Sequence, residues 1–231
     1  GLREMEVSEQ TAAAVALRQA GYKVTASPHG ARIEAIGTDS PSRRKLQLGD
    51  VIVEAGGHAV RTLKQLRTAL DGIAPGDSIE LALRRDAKTV HVVARTTASS
   101  DTPPRPLIGV RVSQAAEIVL PVAVKIDLGG VGGPSAGLPF ALDVLQELGR
   151  NVDRGYRVAA TGEIEIDGTV APIGGVKQKV YGVRHAGADV FLVPAGDNAI
   201  EARRYAGSLR VIAVENFQQA LSALKKLPPK R

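Results

Sequence analysis

Ser135 and Lys179 are the two side chains in this sequence whose types and settings suit covalent catalysis. Ser135 lies in Gly132-Gly133-Pro134-Ser135-Ala136-Gly137, a glycine-crowded turn between an apolar strand-like run and an apolar helix-like run. Lys179 closes a second short signal, Gly174-Gly175-Val176-Lys177-Gln178-Lys179, in the same half. A serine hydroxyl is a poor nucleophile until a neighbouring base takes its proton, and an amine is a base only when neutral. A lysine in water keeps its proton to about pH 10.4, so one that works near neutrality must be partly desolvated. A helix starting after Gly175 puts Val176, Val180 and Val183 on one face, with Lys179 beside that apolar stripe and Lys177 and Gln178 turned further away. Lys179 is therefore the better base.

These side chains need elements to hold them. The helix that follows the serine should begin close to Ser135 and run to about Leu148, with Gly149 as its stop. Pro139 agrees, because proline is tolerated in a first turn and disfavoured deeper in a helix. Leu138, Ala141, Leu142, Leu145 and Leu148 would face the core. A helix start supplies free N–H groups and the positive end of the dipole, which is what a developing oxyanion needs. Glu163 to Val170 reads as a hairpin with an Asp167-Gly168 turn. After the Lys179 helix come an apolar strand Val190–Val193, a helix opened by Asp197, a strand Leu209–Val214 and a helix from Asn216 with Phe217, Leu221 and Leu224 on one face.

Three motifs in order, Gly133-Pro134-Ser135-Ala136-Gly137, Thr161-Gly162-Glu163-Ile164 and Pro172-Ile173-Gly174-Gly175-Val176-Lys177-Gln178-Lys179, resemble the Lon-type serine peptidases, whose proteolytic domain uses a Ser-Lys dyad. The resemblance covers roughly residues 106–231. It implies Ser135 as nucleophile, Lys179 as general base, Thr161 as a hydrogen-bonding partner of the lysine and Glu163 as a site-shaping residue. It also implies substrate extended along Val122-Ala123-Val124-Lys125-Ile126 and assembly into a homo-oligomeric ring, a hexamer being favoured. Many relatives carry an acidic residue three places before the serine, where this chain has Gly132. Taken one at a time, the residues have plainer uses: a serine ahead of a helix caps it, and a lysine beside an apolar stripe reaches out to solvent. Thr161 alone is an ordinary strand residue and Glu163 a solvent-facing one. The conjunction of motifs carries the reading.

From about Val24 to Thr97 the chain resembles a PDZ domain of the kind attached to bacterial proteases, with Leu48-Gly49-Asp50-Val51-Ile52-Val53 and Pro75-Gly76-Asp77-Ser78-Ile79-Glu80-Leu81 as its signatures. Between them lies a helix with Thr62 and Gln65 as a capping box, Leu63, Leu66 and Leu70 on one face and Gly72 at its end. Such domains bind an extended peptide or a C-terminus by adding a strand to a sheet edge. Ser27-Pro28-His29-Gly30-Ala31 stands where the apolar-Gly-apolar carboxylate loop is expected. The fold class expected is α+β: a Lon-type proteolytic domain with a mainly β PDZ domain inserted after an N-terminal helix. The divisions are an N-terminal helix in 1–22, capped at Ser8, ended by Gly21 and packing on the protease; a PDZ domain, 23–97; a linker, 98–106; and a proteolytic domain, 107–231.

No cysteine is present, which excludes a thiol nucleophile, disulfides and cysteine metal sites, and no spacing of His, Asp and Glu suggests a metal; no cofactor is expected. A Ser-His-Asp triad is the chemical competitor, but each of the four histidines has a turn, strand or helix-end explanation. The net charge of +6 is scattered and few aromatics accompany it, so nucleic acid is not expected as a partner. Ser135 is not preceded by the lysine of a Walker loop, and no ATPase module is read in the chain, so cleavage should not need ATP. The partners expected are unfolded or PDZ-presented polypeptides. Relatives that join PDZ to Lon imply an N-terminal membrane anchor and an extracytoplasmic bacterial location. The alternative is a PDZ adaptor carrying a dormant Lon-like domain.

Overall fold

The computed structural model describes residues 2–100, 103–124, 133–228 and 230. It divides into two compact units, Gly1–Thr25 with Ile118–Arg231, and Ala26–Glu117.

The first unit opens with helix α1, Leu2–Gln19, which is longer than the sequence suggested. Ser8 was expected to cap it, but the helix-favouring stretch Leu2–Glu6 continues it upstream, and Ser8 is buried inside. Gly21, at φ +96°, stands just past its end. Ala12, Val15 and Ala16 pack with Leu138, Phe140 and Ala141 of α3, Gly137–Glu147. Small side chains on α1 allow two helices to lie close together there. Leu138, Ala141, Leu142 and Leu145 are buried as the 3.6-residue period predicts, whereas Leu148, expected in the core, is 37% exposed because the helix ends at Glu147.

Strands β9 (Val158–Ala160), β12 (Val190–Pro194) and β13 (Arg210–Val214) form a parallel sheet in the order β13-β12-β9. The central strand explains the layering. Val190 and Leu192 join the core of α1, α3 and α6 (Phe217–Lys225), while Phe191 and Val193 join the core of α4 (Val176–His185) and α5 (Asp197–Tyr205). A strand covered on both faces can be apolar throughout, and all of β12 is buried. The hairpin β10 (Glu163–Ile164) and β11 (Val170–Ala171) stands apart, with Glu163 opposite Ala171. Asn216 caps α6, accepting from the Gln219 N–H at 2.9 Å.

The second unit is a six-stranded sheet: β5 (Lys88–Arg95), β4 (Ser78–Arg85), β2 (Val51–Ala55), β1 (Thr25–Ile36) and β8 (Val110–Val119) in that order, with β3 (His58–Ala59) off β2. Helix α2, Leu63–Asp71, carries the capping box read from Thr62 and Gln65. The expected linker is partly structured, since β6 (Thr97–Ala98) pairs with β7 (Pro106–Leu107). Ile108 is 3% exposed in this unit's core, and the unit extends to Glu117, past the boundary at 107 that the sequence suggests. Of Val122–Ile126, expected to lie along an extended substrate, Val122–Val124 are irregular, while Lys125 and Ile126 lie outside the described residues, as does Gly132. Among the described residues no helix is long and apolar enough to cross a membrane.

Asp50 of the Leu-Gly-Asp signature is the unit's buried charge. Its carboxylate accepts from Arg85 Nε and Nη2, each at 2.7 Å, and from the Gln47 N–H at 2.9 Å. With Asp50 1% exposed and Arg85 22%, loss of the guanidinium strands a carboxylate in the interior. Arg85→Met is expected to destabilise this unit by about 2–3 kcal/mol in urea unfolding; a change within about 0.5 kcal/mol, the range of an ordinary surface substitution, would contradict it.

Candidate active site

The turn that carries Ser135 is a 3-10 turn, Pro134–Ala136, running straight into α3. Two donors grip the Ser135 carbonyl: the Gly162 N–H at 2.9 Å and the Thr161 hydroxyl at 3.2 Å. The Leu138 N–H donates in return to Gly162 O at 3.0 Å. Thr161 is itself fixed to the sheet, its N–H donating to Leu192 O at 3.0 Å. The start of α3 is thus stitched to the stretch between β9 and β10. Gly137 makes that approach possible, because a Cβ there would lie 2.8 Å from the Ile164 nitrogen and 3.0 Å from its Cγ2.

Lys179 arrives from α4. Val176 and Val180 bury the inner face of that helix, and Lys179, beside them, is half-buried where Lys177 and Gln178 are exposed. Its amine lies 3.1 Å from Ser135 Oγ, in a hydrogen bond with the amine donating. The same separation serves the reverse transfer, since a neutral amine offers a lone pair along that line. The two side chains picked out by type and spacing therefore meet across 44 residues of sequence.

Thr161, buried to 4% exposure, was expected to bond the lysine. No hydrogen bond joins the two; its hydroxyl holds the backbone of Ser135 instead. Glu163 is half-buried in β10, placed by its ladder pairing with Ala171 and next to the Ile164 that receives Gly137. The amides expected to form an oxyanion hole are partly engaged: Ala136 N–H donates to Gly133 O at 3.1 Å and Gly137 N–H to Pro134 O. The Ser135 N–H has no acceptor among the described residues.

Sequence reasoning missed Asn198. This α5 residue, 9% exposed, accepts from the Ile173 N–H at 2.8 Å through Oδ1 and donates to Ile173 O at 2.9 Å through Nδ2. An amide side chain has one acceptor face and one donor face, which match the N–H and the C=O of a single residue. It clamps the backbone three residues before α4, whose N-cap Gly175 at φ +69° sets the direction of the Lys179 helix. An asparagine near a helix start reads as a surface cap, so only the fold reveals the clamp.

The other unit holds a second constellation. Ser27–Ala31 lie within β1, with Ala31 opposite Ile52, and form no loop. An apolar-Gly-apolar stretch, Leu107-Ile108-Gly109-Val110, leads into β8, whose first residue is Val110. Gly109, at φ +77°, accepts at its carbonyl from the Gly37 N–H at 2.9 Å, and Ile108 O accepts from Ser40 Oγ at 2.9 Å. A Cβ at Gly109 would sit 2.8 Å from Ser40 Cβ. With these carbonyls turned to one side, the Ile108 and Gly109 N–H groups have no acceptor among the described residues. Leu107 is 43% exposed, and Val110, Val112, Ala69, Leu70 and Ile73 are half-buried against the core. Among the described residues β8 has no strand on its outer edge.

Residues 121–226 match the family described as the Lon protease (S16) C-terminal proteolytic domain, and residues 6–95 match the PDZ domain family. The chain joins a PDZ domain to a Lon-type proteolytic domain. Lon protease 2 of Bacillus subtilis is 32% identical over 43% of this chain and 18% of its own length. Lon protease 1 of Sorangium cellulosum is 41% identical over 34% and 10%, and the Lon protease of Phenylobacterium zucineum 30% over 76% and 21%. The chain thus matches about a fifth or less of these relatives' lengths. The PDZ domain of an SdrC-like protein from Listeria monocytogenes aligns with 39% of this chain and 93% of its own, at 24% identity and TM-score 0.34.

Replacing Asn198 by leucine keeps the branching and number of side-chain heavy atoms and leaves both polar groups of Ile173 without that partner. Asn198→Leu is expected to cost about 2–4 kcal/mol in urea unfolding and to speed hydrogen exchange at the Ile173 amide; unchanged exchange there would show that the clamp is not what holds this segment.

Proposed function

We propose that the Lon-type unit is a serine endopeptidase whose nucleophile is Ser135 and whose general base is Lys179. The observation that carries this reading is the 3.1 Å contact between Lys179 Nζ and Ser135 Oγ, inside a stretch that matches the Lon proteolytic domain. Neutral Lys179 takes the hydroxyl proton as Oγ attacks a peptide carbonyl carbon, and the C–O bond forms while the carbonyl becomes an oxyanion. The Ser135 N–H and the start of α3 face that charge; the Ala136 N–H joins as a second donor once it releases Gly133 O. Protonated Lys179 then gives its proton to the leaving amine, and the C–N bond breaks to an ester on Ser135. Water, deprotonated by Lys179, hydrolyses the ester and restores both groups. Thr161 acts as a positioning residue through the Ser135 carbonyl. No step uses a nucleotide.

We further propose that the PDZ unit selects chains by their C-termini. The Ile108 and Gly109 N–H groups would receive the carboxylate, the last side chain would enter between Leu70, Ile73 and Val110, and the peptide backbone would extend β8. Unfolded polypeptides ending in an apolar residue are then the favoured substrates. On the resemblance alone, we also propose a ring of catalytic units, a hexamer being favoured, held at the outer face of a bacterial membrane.

Casein digestion without nucleotide tests the dyad. Ser135→Ala and Lys179→Ala, each folded, are expected to lower the rate by at least about a thousandfold, the scale on which removal of a member of a catalytic unit acts. Cleavage that survives in both variants would overturn the reading, and a wild type that binds peptide but cleaves nothing would favour the adaptor. Amidating the C-terminus of an apolar-ended substrate is expected to raise KM about tenfold at constant kcat; an unchanged KM would remove the C-terminal selection.

A further inference from the structure

The proteolytic unit carries a cleft that Ser135 and Lys179 do not line. It has a volume of about 620 Å³ and is lined by Gln19, Leu145, Arg150, Asn151, Val152, Arg154, Leu221 and Lys225. That size falls within the range of small-molecule sites, roughly 300–1,000 Å³. Its walls come from the end of α1, the end of α3, the following loop and α6.

Three cations and no carboxylate line this cleft. The two guanidiniums are oriented without being neutralised: Arg150 Nη2 donates to Ala20 O at 3.4 Å, and Arg154 donates to the Lys225 carbonyl. Carbonyl partners fix direction but leave the full positive charge in place. Arg154 also holds a left-handed backbone, φ +54°, uncommon for a residue with a long side chain. Its N–H is taken by Asn151 Oδ1 at 2.9 Å, so a second wall residue holds that conformation. The floor is apolar, built from the buried Leu145 and the half-buried Val152 and Leu221. Charge at the rim above an aliphatic floor defines an amphiphile rather than a simple ion. A phosphomonoester carries about −1.5 to −2 at neutral pH and accepts several charge-assisted hydrogen bonds, a closer balance for three cations than a single carboxylate.

We propose that this cleft binds a phosphate group joined to an aliphatic chain, with Arg150, Arg154 and Lys225 on the phosphate and Leu145, Val152 and Leu221 on the chain. The ligand would rest at the far end of α3, the helix that the Ser135 turn runs into. The same chemistry has two sources, a soluble alkyl phosphate or a phosphomonoester lipid headgroup in a membrane.

Calorimetric titration of the whole chain with n-hexyl phosphate tests the site, with inorganic phosphate and hexanol as controls. The expected result is saturable binding, at least tenfold tighter than either control and weakened at least tenfold in Arg150→Gln/Lys225→Gln. Those changes leave Arg154 and its carbonyl contact in place, and casein cleavage and thermal unfolding should match the wild type. Hexyl phosphate that fails to saturate, or binds the folded double variant equally well, would overturn the proposal; so would inorganic phosphate binding as tightly, which would show a simple anion site. Co-sedimentation with phosphatidic acid vesicles but not phosphatidylcholine vesicles, lost in the double variant, would assign the lipid source; hexyl phosphate binding without co-sedimentation would assign the soluble one. Ser135→Ala is expected to bind as the wild type does, so this test and the peptidase test fail separately.

Discussion

The close approach of α3 to the stretch between β9 and β10 governs the proteolytic unit. Gly137 has no side chain to hold Ile164 away, so the first turn of the helix comes near enough for Gly162 and Thr161 to grip the Ser135 carbonyl. That grip fixes the backbone from which Oγ projects. The sheet extends it, since Thr161 also donates to β12, and β12 is buried on both faces. Lys179 reaches the same point from the other layer, on a helix whose entry is clamped by Asn198. Ser135 and Lys179 thus ride on opposite sides of one sheet and meet past its end. Rigid elements can hold such a pair within hydrogen-bond reach where two loops could not.

Much of this was legible in the sequence because it is periodic or local. The valine stripe of α4 singled out Lys179 over Lys177, and the apolar period of α3 located most of the residues beneath Ser135. Pro139 and Gly149 bracket the helix as their backbone preferences demand. Local signals also misled. Ser8 has the type of a cap, yet the residues before it are good helix formers, and the helix runs through it. Leu148 keeps the apolar period of α3 but falls one residue past its last turn.

Partners far apart in sequence were not legible. Thr161 finds Ser135 O across 26 residues, and its choice of that carbonyl over the lysine follows from a close approach that no pattern encodes. Asn198 meets Ile173 across 25. The sequence points to Ser27–Ala31, inside β1, for the apolar-Gly-apolar loop, but β8 joins the PDZ sheet beside β1 from far downstream, where Ser113 Oγ donates to Glu34 at 2.5 Å across 79 residues. Leu107-Ile108-Gly109-Val110 has the apolar-Gly-apolar pattern in plain view; the proline-rich stretch before it disguised it as the edge of a linker.

The most direct measurement of the dyad is covalent labelling of the folded chain with a fluorophosphonate, followed by peptide mapping. The reagent needs only an activated hydroxyl, so it reports on the dyad independently of substrate binding or PDZ selection. The account predicts one adduct, on Ser135, forming at least about a hundredfold more slowly in Lys179→Met, the low end of what a general base contributes. An adduct on another residue, or Ser135 labelled as fast without the lysine, would contradict it.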